Sequence, residues 1–118
     1  MNLTKKPQND KLNHKLFLVT KNIELNEFNL QSPPENITVL DRKLFDKMES
    51  AMLTKQYLKQ NKNVYIKGIF ENDGTRADFA DMYNLMIDGA AGFILETEQA
   101  RVVQGAIETV QVFENEQI

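Results

Sequence analysis

Apolar residues fall along this chain in two rhythms, short continuous runs and longer stripes spaced by three or four, and the two alternate. The first run, "KLFLVT" at residues 15–20, has the unbroken apolar centre of a strand covered on both faces. The next stretch, "KNIELNEFNLQSPPEN", alternates apolar and polar residues up to Pro33-Pro34; its periodicity fits a short strand or an irregular loop equally well. From residue 41 to 60, Leu44, Met48, Ala51, Met52 and Leu58 make a helical stripe with charged residues on most of the remaining face. Asp41 at its start and Lys55 and Lys59 near its end have the signs that a helix dipole favours.

"NVYIKGIF", residues 63–70, is rich in β-branched and aromatic residues and reads as a second strand, closed by the turn "ENDG". Thr75 then has the character of an N-cap, with Asp78 three residues on in place of the usual Glu of a capping box. Phe79, Met82, Tyr83, Met86 and Ile87 form the stripe of the helix that follows, and Gly89 suits the left-handed residue that ends it. "GFIL", residues 92–95, is a third strand, and Val102, Val103, Ala106, Ile107, Val110 and Phe113 form a last amphipathic stripe. The expected fold class is therefore α/β: three βα units with a short parallel sheet and right-handed crossovers over residues 15–118. Residues 1–14 are polar and read as a flexible arm.

Bulk properties narrow the function without naming it. At 118 residues one domain is expected, and 42% hydrophobic content is enough for a core. The net charge of -3 and the absence of a basic face argue against nucleic acid as a partner. Lys5, Lys6, Lys11 and Lys15 are interleaved with Asn and Gln and read as a solvated segment. With no cysteine there is no thiol chemistry, disulfide or cysteine-ligated metal. No apolar run is long enough to span a bilayer, and residues 1–15 lack the apolar centre of a secretory signal. These features point to an intracellular chain, in the cytoplasm rather than an organelle, with no membrane insertion.

The chemically tempting residues reduce to structural ones. His14, the only histidine, has no partner at metal-site spacing. Glu96 and Glu98 could form a carboxylate pair on one face of a strand, but a solvated loop is the simpler account. Arg76 could bind a phosphate beside a helix start, against a structural role next to the cap. Met48, Met52, Met82 and Met86 fit core stripes, and "ENDGT" has too few carboxylates at calcium-loop offsets. No catalytic, cofactor-binding or metal-binding residue is assigned.

The stretch "TRADFADMYNLMIDGAAGFILETEQA" resembles the pyruvate kinase family, in its catalytic (β/α)8 barrel domain. Family members carry Thr-Arg-Ala-Glu, an Asp three residues later, an Asn, then Asp-Gly-Ala, a strand ending in Met-Leu, and Ser-Gly-Glu-Thr-Ala. Thr75, Arg76 and Ala77 match and Asp78 is a conservative change; Asp81, Asn84, Asp88, Gly89 and Ala90 fall in register, and Leu95, Glu98 and Ala100 continue it. "IETV", residues 107–110, is similar to Leu-Glu-Ala-Val of the following helix. Upstream, "MLTKQYLKQNKNVYIKG" is similar to the helix and strand before the family's Ala-Thr-Gln, and "KLFLVTK" takes the place of the strand leading into Ala-Arg-Gly-Asp. The resemblance implies a fragment of a TIM barrel, roughly the last three of eight βα units.

It also implies a loss of chemistry. Where the family has the metal-binding Asp, this chain reads "TKNI"; Gly68 stands where a Thr meets the reacting phosphate; and "ETEQA" replaces Ser-Gly-Glu-Thr-Ala. Phosphoryl transfer needs metals and cations clamped on a charged phosphate, so the implied protein is a pseudoenzyme with no cofactor. Three βα units leave two open sheet edges and one uncovered face, which must be wrapped by the segment 22–38, paired with a second copy, or docked on another protein. The leading expectation is a non-catalytic, pyruvate-kinase-like structural or adaptor subunit. Its contacts are expected at the sheet edge, the uncovered face and the polar arm. The alternatives are one piece of a split or truncated pyruvate kinase acting on phosphoenolpyruvate and ADP, and a small-molecule binding module.

Overall fold

The computed structural model describes residues 12–44, 47–70 and 74–116. Its elements run β1 (Lys15–Leu18), a 3-10 helix (Ile23–Phe28), β2 (Thr38–Asp41), a second 3-10 helix (Arg42–Leu44), α1 (Lys47–Gln60), β3 (Val64–Lys67), α2 (Arg76–Asp88), β4 (Gly92–Leu95) and α3 (Ala100–Glu116). The expected parallel α/β architecture is present, with a fourth strand: one sheet of order β1-β4-β3-β2, every pair parallel. β2, β3 and β4 lie side by side in chain order, whereas β1 lies on the far side of β4. The three strands read from the sequence thus lie side by side as β1, β4 and β3, and β2 adds a strand on the far side of β3.

Register divides the sheet into two unlike faces. Leu16 lies opposite Phe93, Phe93 opposite Ile66 and Ile66 opposite Leu40, so these side chains share one face with Leu18, Val64 and Leu95. The main core sits there, joining these strand residues to Leu25 and Phe28, to Leu58 of α1, to Met82, Leu85 and Met86 of α2, and to Val103, Ala106, Ile107, Val110 and Phe113 of α3. The helices form one layer in which α1 packs on α2, α2 on α3, and α3 on the first 3-10 helix. The opposite face carries Lys15, Phe17, Val39, Asp41, Tyr65, Lys67 and Ile94. On it the rings of Phe17 and Tyr65 approach to 5.5 Å across Gly92, where a Cβ would lie 2.8 Å from the Tyr65 ring and 2.0 Å from the Lys15 carbonyl oxygen.

Local signals hold best in the second half. Thr75 caps α2 in a complete capping box, its hydroxyl accepting from the Asp78 amide while the Asp78 carboxylate accepts from the Thr75 amide. Gly89 ends α2 at φ 113°, its amide donating to the Leu85 and Met86 carbonyls. All six stripe residues of α3 are buried, as is every residue of β4.

Three expectations need correction. The helix expected from residue 41 begins at Lys47, because Asp41 completes β2 and residues 42–44 wind into a 3-10 turn. Its stripe faces the core only in part: Leu58 is buried there, whereas Leu44 is 77% and Met52 62% exposed, and Thr54, off the stripe, is buried. Met48 and Ala51 lie outside the described side chains. In α2 the buried line shifts by one position, with Leu85 inside and Ile87 61% exposed. The ambiguous segment 21–36 resolves into the first 3-10 helix, capped by Asn22, and an extended stretch whose Gln31 bridges to Phe17. Of the expected arm, residues 1–11 lie outside the described residues, while its last three are held: Leu12 is buried in the core and His14 is docked on α3.

Candidate functional site: the strand ends and the outer surfaces

In parallel α/β sheets ligands meet the carboxyl ends of the strands, where successive loops converge. Here those loops bind one another. Asn22, after β1, accepts the Glu24 amide on Oδ1 at 3.0 Å and donates from Nδ2 to the Glu98 carbonyl, after β4, at 2.9 Å. Thr97 Oγ1 accepts the Gln99 amide at 3.1 Å, which shapes the approach to α3. The segments "TKNI" and "ETEQA" are thus tied to each other. Glu96 and Glu98 are exposed loop residues, as the simpler sequence account expected.

The ends of β2 and β3 are closed in the same manner. Gly68 turns the chain at φ 79°, and a Cβ there would stand 2.7 Å from Asp41 Oδ1 and 3.1 Å from the Lys43 nitrogen. Asp41 Oδ1 instead accepts the Lys43 amide at 3.0 Å, and Asp41 Oδ2 lies 3.8 Å from Lys67 Nζ. Arg42 pairs with Asp81 of α2 and pins the 3-10 turn over the sheet. The cavity left between Lys43, Gly68, Ile69, Phe70, Ile94 and Glu96 measures about 10 Å³, at the lower limit for one water molecule. Among the described residues, no group of three or more His, Asp or Glu could hold a metal ion, and no helix is long and apolar enough to cross a membrane.

The other singled-out residues have structural surroundings. His14 donates its amide to Glu114 Oε1 at 2.7 Å, places Nδ1 2.9 Å from the same oxygen, and sets its ring edge-on to Phe113 at 5.3 Å. The lone histidine therefore fastens the start of β1 to α3. Met82 and Met86 are core residues, Met52 is exposed, and Met48 lies outside the described side chains. In "ENDGT" residues 71–73 lie outside the described residues; Gly74 is buried and its carbonyl accepts from Arg101 at 3.3 Å. Arg76 is exposed on the first turn of α2.

Larger open spaces lie on the outside, and the stripes read from the sequence reach them only at Phe79 and Tyr83. Arg76, Phe79, Ala80 and Tyr83 of α2 face Gly105, Glu108, Thr109 and Val112 of α3 across a groove of about 550 Å³. The spacing is i, i+3, i+4, i+7 on both helices, the repeat of a helix-binding surface. Phe79 rests on Gly105, where a Cβ would meet its ring at 2.6 Å. The Tyr83 hydroxyl donates to Glu116; that bond first, then burial and the Glu116 charge, pushes the phenol above the ordinary tyrosine range.

A second hollow of about 260 Å³ lies beside the outer edge of the sheet, between Leu40 of β2 and Leu53, Gln56, Tyr57 and Gln60 of α1. Leu53 and Tyr57 are exposed there, and Val39 is exposed on the opposite face of the same edge strand. Leu53 and Tyr57 stand four apart and off the stripe read from the sequence, the one local signal that this side of α1 is also apolar. Compared with known protein families, with characterised proteins and with solved structures, the chain matches none.

Proposed function

We propose that this chain is a non-catalytic, pyruvate-kinase-like protein that serves as a structural or adaptor subunit of a larger assembly, docking through the outer edge of its sheet. One observation carries the reading. β2 is an edge strand of the sheet, and exposed apolar residues flank it on both sides, Leu53 and Tyr57 of α1 on the helix side and Val39 on the opposite face. An edge with exposed apolar flanks is a template for another chain, and proteins that do not use such an edge blunt it. Two features support the barrel ancestry: β2, β3 and β4 follow one another in chain order with α1 and α2 between them, and the helices form a single layer on one face. Closure of the strand ends by Asp41, Lys43 and Lys67 supports the non-catalytic half of the reading, because a phosphate would have to displace bonds the chain already makes to itself.

The test is the state of the protein in native extract. The chain should elute with a partner, and Leu53→Lys, at an exposed position, should release it while leaving the helical circular dichroism unchanged. A stable, folded chain that elutes with no other protein would end the proposal. A second reading draws on the one-sided helix layer: the sheet face on which no described helix packs, where Phe17 and Tyr65 are half-buried, could be completed in trans by the remaining strands of a split pyruvate kinase. A companion chain bearing those strands, mixed with phosphoenolpyruvate, ADP and magnesium, should then form pyruvate, and no turnover would remove that alternative.

A further inference from the structure

We infer that the groove between α2 and α3 is the contact surface for a second copy of this chain, docked antiparallel about a twofold axis. The inference does not rest on the reading above, which uses β2 and α1; the two surfaces involve different residues and fail separately.

The two helices run side by side in the same direction. At one end Arg101 of α3 reaches the Gly74 carbonyl just before α2, and at the other Tyr83 of α2 packs edge-on against Phe113 and bonds Glu116. Charge is distributed unevenly along that direction. Arg76 and Arg101 stand at the shared amino-terminal end, Glu108 lies along the groove, and Glu116 closes the carboxyl-terminal end.

That polarity is the reverse of what α3 favours on its own. Its first turn has no acidic residue and its last turn no basic one, so Arg101 meets the positive end of the helix dipole and Glu114 and Glu116 the negative end. A second α2–α3 pair turned end for end relieves this arrangement. It lays the basic end of each groove against the acidic end of the other and sets the helix dipoles antiparallel. The groove offers both small residues, Ala80 and Gly105, and larger ones, Phe79 and Val112, so that two reversed copies can interdigitate, with Arg76 near the second copy's Glu108.

The groove is apolar at its centre, and helices packed against one another bring their axes to about 8–10 Å. Val112 and Ala80 are exposed within it. Residues 1–11, "MNLTKKPQNDK", carry three lysines and only Met1 and Leu3 as aliphatic side chains, so that segment offers the groove no apolar stripe. Because the surface complements itself in charge and in size, the occupant it fits is a copy of itself, in an isologous contact.

Sedimentation of the purified full chain tests this over about 1–100 μM, the range in which a modest contact between small surfaces exchanges. The expected species is a dimer of the 13.6 kDa chain, weakened by salt. Val112→Glu and Arg76→Glu, both at exposed positions, should each raise the dissociation constant at least tenfold with unchanged circular dichroism and melting temperature of the monomer. Arg76→Glu combined with Glu108→Arg should recover much of the affinity lost by Arg76→Glu alone. A monomer throughout the range overturns the inference. So does a dimer that Val112→Glu leaves intact, which would put the contact elsewhere, or a charge-reversed pair that gains nothing over the single reversal.

Discussion

The two halves of this chain use apolar residues differently. In β4 and α3, residues 92–116, the apolar pattern goes where it points: all four residues of β4 and all six stripe residues of α3 are buried. In β2 and α1, residues 38–60, the same kind of residue is left outside, with Val39, Leu44, Met52, Leu53 and Tyr57 all exposed. Both halves belong to one sheet, so the contrast is not one of domain against tail. A sequence that keeps apolar side chains on a surface it could have made polar is preserving an interface, whereas one that buries them is preserving a fold. Residues 92–116 supply much of the core, and the exposed apolar residues of 38–60 are those that the proposed subunit contact would cover.

The largest effect that separates them is a core truncation. Phe93 is fully buried at the centre of the sheet, opposite both Leu16 and Ile66. Phe93→Ala should destabilise the chain by about 3–5 kcal/mol, enough to leave much of it unfolded. Leu44→Ala, at an equally apolar residue that is 77% exposed, should stay within about 0.5 kcal/mol. Denaturant midpoints of the two mutants measure the contrast directly. Equal losses would mean that the first half is as much core as the second.

Next in size is a change that should stabilise. Thr54 is the one described polar side chain that is buried, at 1% exposure, and its hydroxyl has no hydrogen-bond partner. Burying a hydroxyl without a partner costs about 1–3 kcal/mol, and valine has nearly the same shape. Thr54→Val should therefore raise the unfolding midpoint by an amount equivalent to about 1 kcal/mol. A loss instead would show that the hydroxyl is satisfied in solution by water or by a partner at α1. Of similar magnitude and opposite sign is Thr75→Ala, which removes half of the capping box from α2 and should cost about 1 kcal/mol. Hydrogen exchange at the amides of residues 76–78 should rise more than at the end of α2.

The same division explains what is legible in the sequence. The cap at Thr75, the stop at Gly89, the strand Gly92–Leu95 and the stripe of α3 are local signals, and their local and tertiary roles coincide. β2 is illegible because "TVLD" is an edge strand with two exposed residues, and it offers neither a continuous apolar run nor a clean alternation. The stripe of α1 is legible only in part, because Leu58 on it is buried while Met52 and, in the turn before the helix, Leu44 are exposed. The candidate site is legible only as a set of single residues. The bond from Asn22 to the Glu98 carbonyl joins residues 76 apart, and that from His14 to Glu114 joins residues 100 apart. No pattern in a single sequence encodes such pairs, since each end is an ordinary polar residue until the sheet brings it to its partner.

The smallest effect is electrostatic and sits at the edge of the α2–α3 groove. The Tyr83 hydroxyl donates to Glu116, which holds its proton more firmly than in an unfolded chain, and burial and the carboxylate charge act in the same direction. The folded value is raised, so the contribution of this bond to stability is fully present below the ordinary tyrosine value of about 10 and is lost as pH climbs through the folded one. An absorbance titration of the three tyrosines should therefore contain a component that ionises above the ordinary value. Tyr83→Phe should remove that component, together with the extra stability that the wild-type chain holds at neutral pH and gives up on the alkaline limb. Because the pair is exposed, the change in stability should be small and should shrink with salt. A titration curve left unaltered by Tyr83→Phe would mean that the bond does not hold the carboxyl-terminal turn of α3 to α2, and that this end of the groove is open to a partner without first giving up a contact of its own.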